Sequence, residues 1–348
     1  MKPFDLIHFS TQRRSIPMVP RCQQTVRILV VVACLLSITA RASADDYAVI
    51  VGADGYSNLR PLEYSGKDAV ALRERMIESG FPEKNVYCLF DKAKQNRHRP
   101  FREMIKQHVE LIASNAEEDD LLFVWFSGHG VHMAGKSYLC GVDSRLDNPQ
   151  SMIEVDWVFE QLRKSQARRK ILIVDACRNE VEPPGRRSGM SVRSSEILRT
   201  LDSPPQGLLV ITSTSLGQYA VEDENLGHGV FAHFVLEALS GKGDRTGDGR
   251  LTWRELFDYS ARKTRDYVAR THLTAQRPKV SRAEELSDED FVITTSGRAS
   301  TTQTFRPNTS RSVAEDTSVI PIPELEQMAF NATQTIQPPM IKSRTLAN

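Results

Sequence analysis

"KILIVDACRNE", residues 170–180, decides how the rest of the chain is read. Residues 171–174 are a continuous run of branched apolar side chains, the signature of a strand covered on both faces. The run stops abruptly at Asp175-Ala176-Cys177-Arg178. A carboxylate and a thiol two residues apart share one face of a strand. Here they sit at its C-terminal end, where open α/β sheets collect their chemistry.

Similar runs recur on both sides. "YAVIV" (47–51), "VYCLF" (86–90), "LLFVWF" (121–126), "LLVIT" (208–212) and "FVIT" (291–294) read as further strands. Residues 66–79, 101–113, 153–165, 229–240 and 252–269 carry apolar residues at helical spacing. Gly80 is placed to stop the first of these helices. The expected fold is therefore a single α/β domain over 45–294: a three-layer αβα sandwich around a mostly parallel sheet of about six strands. Two segments fall outside the pattern. Residues 181–206, rich in Pro, Gly, Ser and Arg, read as a long exposed loop, and the Ser/Thr-rich residues 295–348 as a disordered tail.

The 348 residues are 40% apolar and 26% charged, with a formal net charge of +1. These are globular values, and the even charge balance argues against nucleic acid as a partner. Residues 28–39, "ILVVVACLLSIT", form an apolar run preceded by Arg21 and Arg27 and followed by Ala42-Ser43-Ala44. That order describes an export signal, residues 1–44, cleaved after Ala44. A membrane-spanning helix needs about 20 apolar residues, so no stable anchor is expected. The mature protein is expected outside the cytoplasm, periplasmic or secreted, and monomeric. Cleavage removes Cys22 and Cys34 and leaves Cys88, Cys140 and Cys177, an odd number, so at least one thiol remains unpaired within the chain.

"LLFVWF" runs into Ser127-Gly128-His129-Gly130, a turn-like sequence at a second strand end. If the two strands are neighbours, about 4.8 Å apart, His129 and Cys177 can face each other across the top of the sheet. A lone histidine or a lone cysteine is ordinarily structural. Two of them at adjacent strand ends, 48 residues apart, make a nucleophile and its base: the imidazole helps to ionise the thiol and later protonates the leaving amine. The amides of Gly130 and Cys177 are the candidate oxyanion donors. His132 is a rival base, but it lies past the glycines. His228 and His233 read as cap and core residues.

With these residues the sequence resembles the caspase-like cysteine peptidases, closest to the metacaspase and bacterial orthocaspase branch, over roughly 46–293. The resemblance implies an endopeptidase acting on polypeptides. In caspases the position two before the nucleophile is Gln, and the pocket takes Asp; in metacaspases it is Asp, and the pocket takes Arg or Lys. Asp175 therefore implies cleavage after exposed Arg or Lys, and a buried carboxylate favours a guanidinium or ammonium over an acid. The same resemblance assigns Ser65, Asp68 and Ser127 to that pocket, with Ser65 standing where the family has Cys. Arg178-Asn179-Glu180 departs from the family's His-Ser-Gly. The 181–206 segment falls where caspases are cut into two subunits, and Arg186, Arg187, Arg193 and Arg199 make it a candidate for self-cleavage.

A second motif, "DRTGDGRLTWRE" (244–255), matches an EF-hand calcium loop. Asp244, Thr246 and Asp248 take positions 1, 3 and 5, Gly249 the sharp turn, Arg250 a carbonyl, Thr252 a hydroxyl or water, and Glu255 the bidentate carboxylate. Calcium is the one cofactor expected, against the plainer reading of a tight turn between two helices. Asp143 and Asp147 are the nearest acids for a second site, and Glu222-Asp223-Glu224 reads either as a border of the substrate cleft or, more plainly, as a solvated loop. Three functions stay open on sequence alone: an Arg/Lys-specific endopeptidase, an inactive caspase-like binding module, and acyl transfer or peptide ligation on the same fold.

Overall fold

The computed structural model describes residues 45–177, 197–215, 218–282 and 292–295. The leader, most of the arginine-rich loop and the Ser/Thr-rich tail lie outside these residues.

The two apolar runs that end in chemistry are neighbouring strands. β3 (Leu121–Met133) and β6 (Arg169–Cys177) run parallel and in step. β1 (Tyr47–Gly52) and β2 (Val86–Phe90) extend the sheet beyond β3, and β7 (Leu209–Thr212) extends it beyond β6, all parallel. β11 (Lys279–Arg282) closes the edge antiparallel to β7, giving the order β11-β7-β6-β3-β1-β2. Six strands, five of them parallel, match the expected sheet.

Alternation along the strands sorts the helices into two layers. Phe123 and Trp125 of β3, with Ile171 and Ile173 of β6, pack against α1 (Ser65–Glu78), α5 (Val230–Glu237) and α6 (Trp253–Thr271). Leu122, Val124 and Phe126, with Leu172 and Val174, pack against α2 (Arg102–Asn115), α3 (Val155–Lys164) and α4 (Ile197–Leu201). Burying a large side chain of this kind is worth about 1.5–3 kcal/mol, so Phe123, Trp125, Phe126 and Phe231, all essentially inaccessible, hold both layers to the sheet. Gly80 ends α1 as expected, with φ of +107°.

Three expectations change. The Ser-Gly-His-Gly segment is not a turn: β3 continues through it to Met133 by changing partners. It pairs with β6 as far as His129, then antiparallel with β4 (Lys136–Leu139) from Gly130, and β4 in turn pairs with β5 (Ile153–Glu154). The apolar run near 292 is not in the main sheet. It forms β12 (Val292–Thr295) against β10 (Arg250–Thr252), and the more polar "KVSR" of β11 takes the edge because an edge strand needs no continuous apolar run. The end of the 181–206 segment is α4, whose Ile197, Leu198 and Leu201 are buried. A last pair, β8 (Glu222–Asp223) and β9 (His228–Gly229), forms a hairpin before α5.

Candidate active site

On the α1 face the apolar alternation of β3 and β6 turns polar at its upper end. Ser127 stands opposite Asp175, and the next pair on that face is His129 opposite Cys177. α1 begins just above, because Gly52 at the end of β1 leaves room for it: a Cβ there would lie 2.1 Å from the Ser65 carbonyl oxygen.

His129 is fully buried. Its Nε2 lies 2.7 Å from the Arg60 carbonyl oxygen, so that nitrogen carries the proton and donates it. Nδ1 is buried with no hydrogen-bond partner among the described residues. Burial lowers the His129 pKa, the carbonyl bond opposes this, and the Arg60 charge adds to the lowering. The result is a neutral imidazole with one bare nitrogen, a form able to accept a proton.

The register decides on which side of β3 the Gly130 amide lies. Cys140 N–H donates to the His129 carbonyl at 3.0 Å, and Gly130 is the next residue along, opposite Leu139. In an antiparallel ladder this makes Gly130 and Leu139 a non-hydrogen-bonded pair, so the Gly130 N–H is not spent on β4. The glycines of this segment also admit neighbours: a Cβ at Gly130 would meet Ile197 Cδ1 at 2.7 Å. His132, the rival base, faces Ser137 Oγ at 2.9 Å near the β3–β4 turn, away from Cys177.

Ser65, Ser127, Asp68 and Asp175 converge. Ser127 Oγ donates to Ser65 Oγ at 3.0 Å, both hydroxyls buried. A Cβ at Gly229 would lie 3.1 Å from Asp68 Oδ2 and 3.5 Å from Asp175 Oδ2, so the two carboxylates flank that glycine. Burial pushes the Asp175 pKa up to about 7; the nearby Ser213 hydroxyl draws it down, although it stands short of hydrogen-bond geometry, and the Asp68 and Glu222 charges raise it further. Asp68 is also raised by burial, against the pull of His228, the Gly229 amide and Lys67.

The β8–β9 hairpin borders this recess: the sequence offered that reading for Glu222-Asp223-Glu224, and missed it for His228 and Gly229. His228 Nδ1 approaches Asp68 Oδ1 at 2.5 Å, and Gly229 N–H donates to Asp68 Oδ2 at 3.1 Å. Glu222 is not solvated; it is half-buried and accepts the Tyr64 amide at 3.3 Å, just before α1. Asp223 ties the hairpin to α6, accepting from Tyr267 Oη at 3.0 Å and meeting His272 Nε2 at 2.7 Å. No local motif marks these residues. A histidine next to a glycine before a helix looks like a cap until the 160-residue contact with Asp68 is seen.

The remaining acids and thiols sort plainly. Asp143 accepts the Arg102 amide at the start of α2 at 2.9 Å, and Asp147 pairs with Arg145 at 2.8 Å. Cys88 and Cys140 are free, buried, and pushed by burial up to about 12. Such thiols are inert as nucleophiles. In the 244–255 loop Asp244 accepts the Gly247 and Gly249 amides at 2.7 and 2.9 Å, while Asp248 accepts the Arg250 amide at 2.9 Å. Glu255 completes a capping box with Thr252 at the start of α6 and accepts the Arg245 amide at 3.2 Å. Gly249 has φ of +76°, and Leu251 is buried beneath the loop. Among the described residues no three His, Cys, Asp or Glu side chains cluster closely enough to share an ion. None of the described helices is long and apolar enough to cross a membrane.

Residues 45–288 match the peptidase C14 caspase domain, and the chain belongs to that family. A probable protease from a Desulfuromonadales bacterium is 25% identical over 235 residues, which are 62% of this chain and 28% of that protein; this chain thus corresponds to under a third of its relative's length. Two crystal structures are distantly similar: a Geobacter sulfurreducens protein (15% identity, TM-score 0.49, 69% of this chain and 94% of that one) and caspase-1 from Spodoptera frugiperda (16% identity, TM-score 0.45, 70% and 90%). The assignment rests on the family match.

Proposed function

We propose that this caspase-family protein is an endopeptidase in which Cys177 attacks the peptide carbonyl, His129 shuttles the proton, and Asp175 selects Arg or Lys before the scissile bond. The observation that carries the reading is the shared register: His129 opposite Cys177 and, two residues earlier, Ser127 opposite Asp175. One pair of strands thus brings His129 and Cys177 to one level and Ser127 and Asp175 to the level below, which supports reading the first pair as base and nucleophile and Asp175 as the selecting carboxylate.

In the first step the neutral His129 takes the thiol proton on Nδ1 and the thiolate adds to the carbonyl carbon. The oxyanion is received by the amides of Gly130 and Cys177. The imidazolium then protonates the leaving amine, and water, deprotonated by His129, hydrolyses the acyl-enzyme. Asp175 with Asp68 supplies the negative recess for the cationic side chain, and Ser65 and Ser127 line it with hydroxyls.

Fluorogenic peptides differing only in Arg, Lys or Asp before the cleavage point test the selection. Turnover of the Arg and Lys peptides, with the Asp peptide at background, supports the reading; preference for Asp overturns the role of Asp175.

Export with cleavage after Ala44, and self-cleavage in the arginine-rich loop, belong to the same proposal. Arg199 is set aside as a cut site because it lies in α4, between buried Leu198 and Leu201; peptidases bind extended chain. The 244–255 loop is proposed to hold calcium. Its donors are all oxygens, its sixth residue makes the required turn, and Glu255 sits in the first helical turn. Its carboxylates already accept backbone amides and keep lone pairs for an ion, and Thr at the third position fits the weak range of about 10⁻⁴–10⁻³ M of extracellular calcium modules.

A further inference from the structure

The loop that offers the Arg60 carbonyl to His129 offers a second group. Tyr56 is buried, and its ring centroid lies 4.6 Å from that of the imidazole at an interplanar angle of 39°. The Tyr56 hydroxyl accepts the His129 N–H at 2.7 Å and donates to the Cys140 carbonyl at 3.1 Å. One phenol therefore covers the imidazole face, holds the backbone of the same histidine, and reaches the chain that β3 pairs with just beyond it. The space is reserved for that hydroxyl: a Cβ at Gly128 would lie 2.5 Å from it. The first glycine of Ser-Gly-His-Gly is small because Tyr56 is there.

The loop itself is fixed at both ends. Ala53 N–H donates to the Ser127 carbonyl at 2.9 Å, and Ser57 N–H to the Val142 carbonyl at 3.2 Å. Tyr56 packs in a small apolar cluster with Leu59, Val131 and Cys140. A single bond from Nε2 to a carbonyl fixes the tautomer and leaves the ring free to pivot about that bond. A second contact on the ring face removes the pivot.

We propose that Tyr56 is the positioning residue for the His129 imidazole, an assignment that rests on the peptidase reading above. With Arg60 it holds Nε2–H on the carbonyl and the ring plane fixed, so that Nδ1 is the bare nitrogen presented for proton transfer. The Tyr56 contacts described above are to the His129 ring and backbone, the Cys140 carbonyl and the apolar cluster around Leu59. Its loss therefore acts on the rate of chemistry and not on the binding of the basic side chain.

The test compares wild type with Tyr56→Phe, which removes the hydroxyl that holds the His129 backbone, and with Tyr56→Leu, which also removes the ring from the imidazole face, in the full-length protein. Two readouts are used: kcat and KM on an Arg peptide, and the side-chain ¹⁵N resonances of His129. The expected result is a folded variant whose kcat falls roughly tenfold or more with KM within about twofold. The ¹⁵N shifts should keep the single Nε2–H tautomer that the Arg60 carbonyl fixes, with the Nδ1 resonance displaced as the ring plane is released. Tyr56→Leu, which also strips the ring from the imidazole face, should fall further in kcat. Folded Tyr56→Phe and Tyr56→Leu proteins with wild-type kcat and wild-type His129 shifts overturn the assignment. If neither folds, 3-fluorotyrosine at position 56 stays a neutral phenol and is a weaker acceptor in nearly the same space. It must then lower kcat and shift the His129 signals, and an unchanged protein overturns the proposal. A wild type silent on every peptide, with His129 nevertheless held as Nε2–H and disturbed in Tyr56→Phe, would remove the peptidase reading and leave the positioning role standing.

Discussion

His129 and Cys177 are register partners on adjacent parallel strands, at the last step of a pairing that begins with Leu121 opposite Arg169. Their separation is therefore set by the spacing of a sheet and not by a loop. Nothing in the interior of β3 or β6 has to move for the imidazole and the cysteine to stand at the same height, and the apolar residues below them keep the strands in step.

Asp175 gives the recess a proton-dependent affinity. With its pKa near 7, it is largely protonated at pH 6 and ionised at pH 8, and only the ionised form pairs with a guanidinium. KM for an Arg peptide should fall as pH rises across this range. Asp175→Asn should raise KM about 10–100-fold at pH 8, the worth of a charge-assisted hydrogen bond, and flatten the dependence. A profile of KM against pH for both proteins decides it; the same slope in Asp175→Asn would assign the titration elsewhere.

Asp54 makes a different pH prediction, for stability. It follows β1, its side chain accepts the Gly66 amide at 3.0 Å, and its own backbone N–H donates to Asp91 Oδ2 at 2.8 Å. Burial first, then the hydrogen bond and charge of Asp91, push its pKa up to about 7. A carboxyl that binds its proton more tightly when folded stabilises below its ordinary pKa near 4 and loses that contribution as pH rises to about 7. The melting temperature of Asp54→Asn should therefore fall less than that of wild type between pH 5 and pH 8. Parallel curves would remove Asp54 from the account.

Calcium should raise the melting temperature through the 244–255 loop. At ten times its dissociation constant an ion that binds only the folded state adds about 1.4 kcal/mol, or about 3–6 °C for a domain of this size. Glu255→Gln should abolish that shift. Equal responses to calcium in the two proteins would place any ion elsewhere.

Self-cleavage predicts that purified wild type is clipped within 186–193 and that Cys177→Ala stays whole during the same incubation. Arg199→Ala should be cut as wild type, since α4 holds that residue in a helix. Intact-mass spectra read all three; clipping of Cys177→Ala would assign the cut to another protease.

The strands of the central sheet were legible in the sequence because both of its faces are buried, so each run is continuously apolar. Edge and irregular elements were not: β11, at the edge of the sheet among the described residues, is polar, and α4 hid in a Pro- and Ser-rich stretch because a helix of five residues shows barely one period. The pairing of His129 with Cys177 was legible because each follows a continuous apolar run, although β3 continues past His129. Tyr56 and His228 were not legible as neighbours of the site residues, because they reach them by long-range contacts. Tyr56 reaches His129 across 73 residues and His228 reaches Asp68 across 160, and no spacing rule spans those distances. The extension of β3 through two glycines was also hidden, since glycine there serves Tyr56 and Ile197 and not a turn.

The most direct test of the central claim is the turnover of one Arg peptide by wild type, His129→Ala and Cys177→Ala, each confirmed as folded. The account predicts measurable turnover by wild type and background rates from both variants, because nucleophile and base act as one unit. Near-wild-type turnover by either variant would show that the paired strand ends are not the catalytic centre.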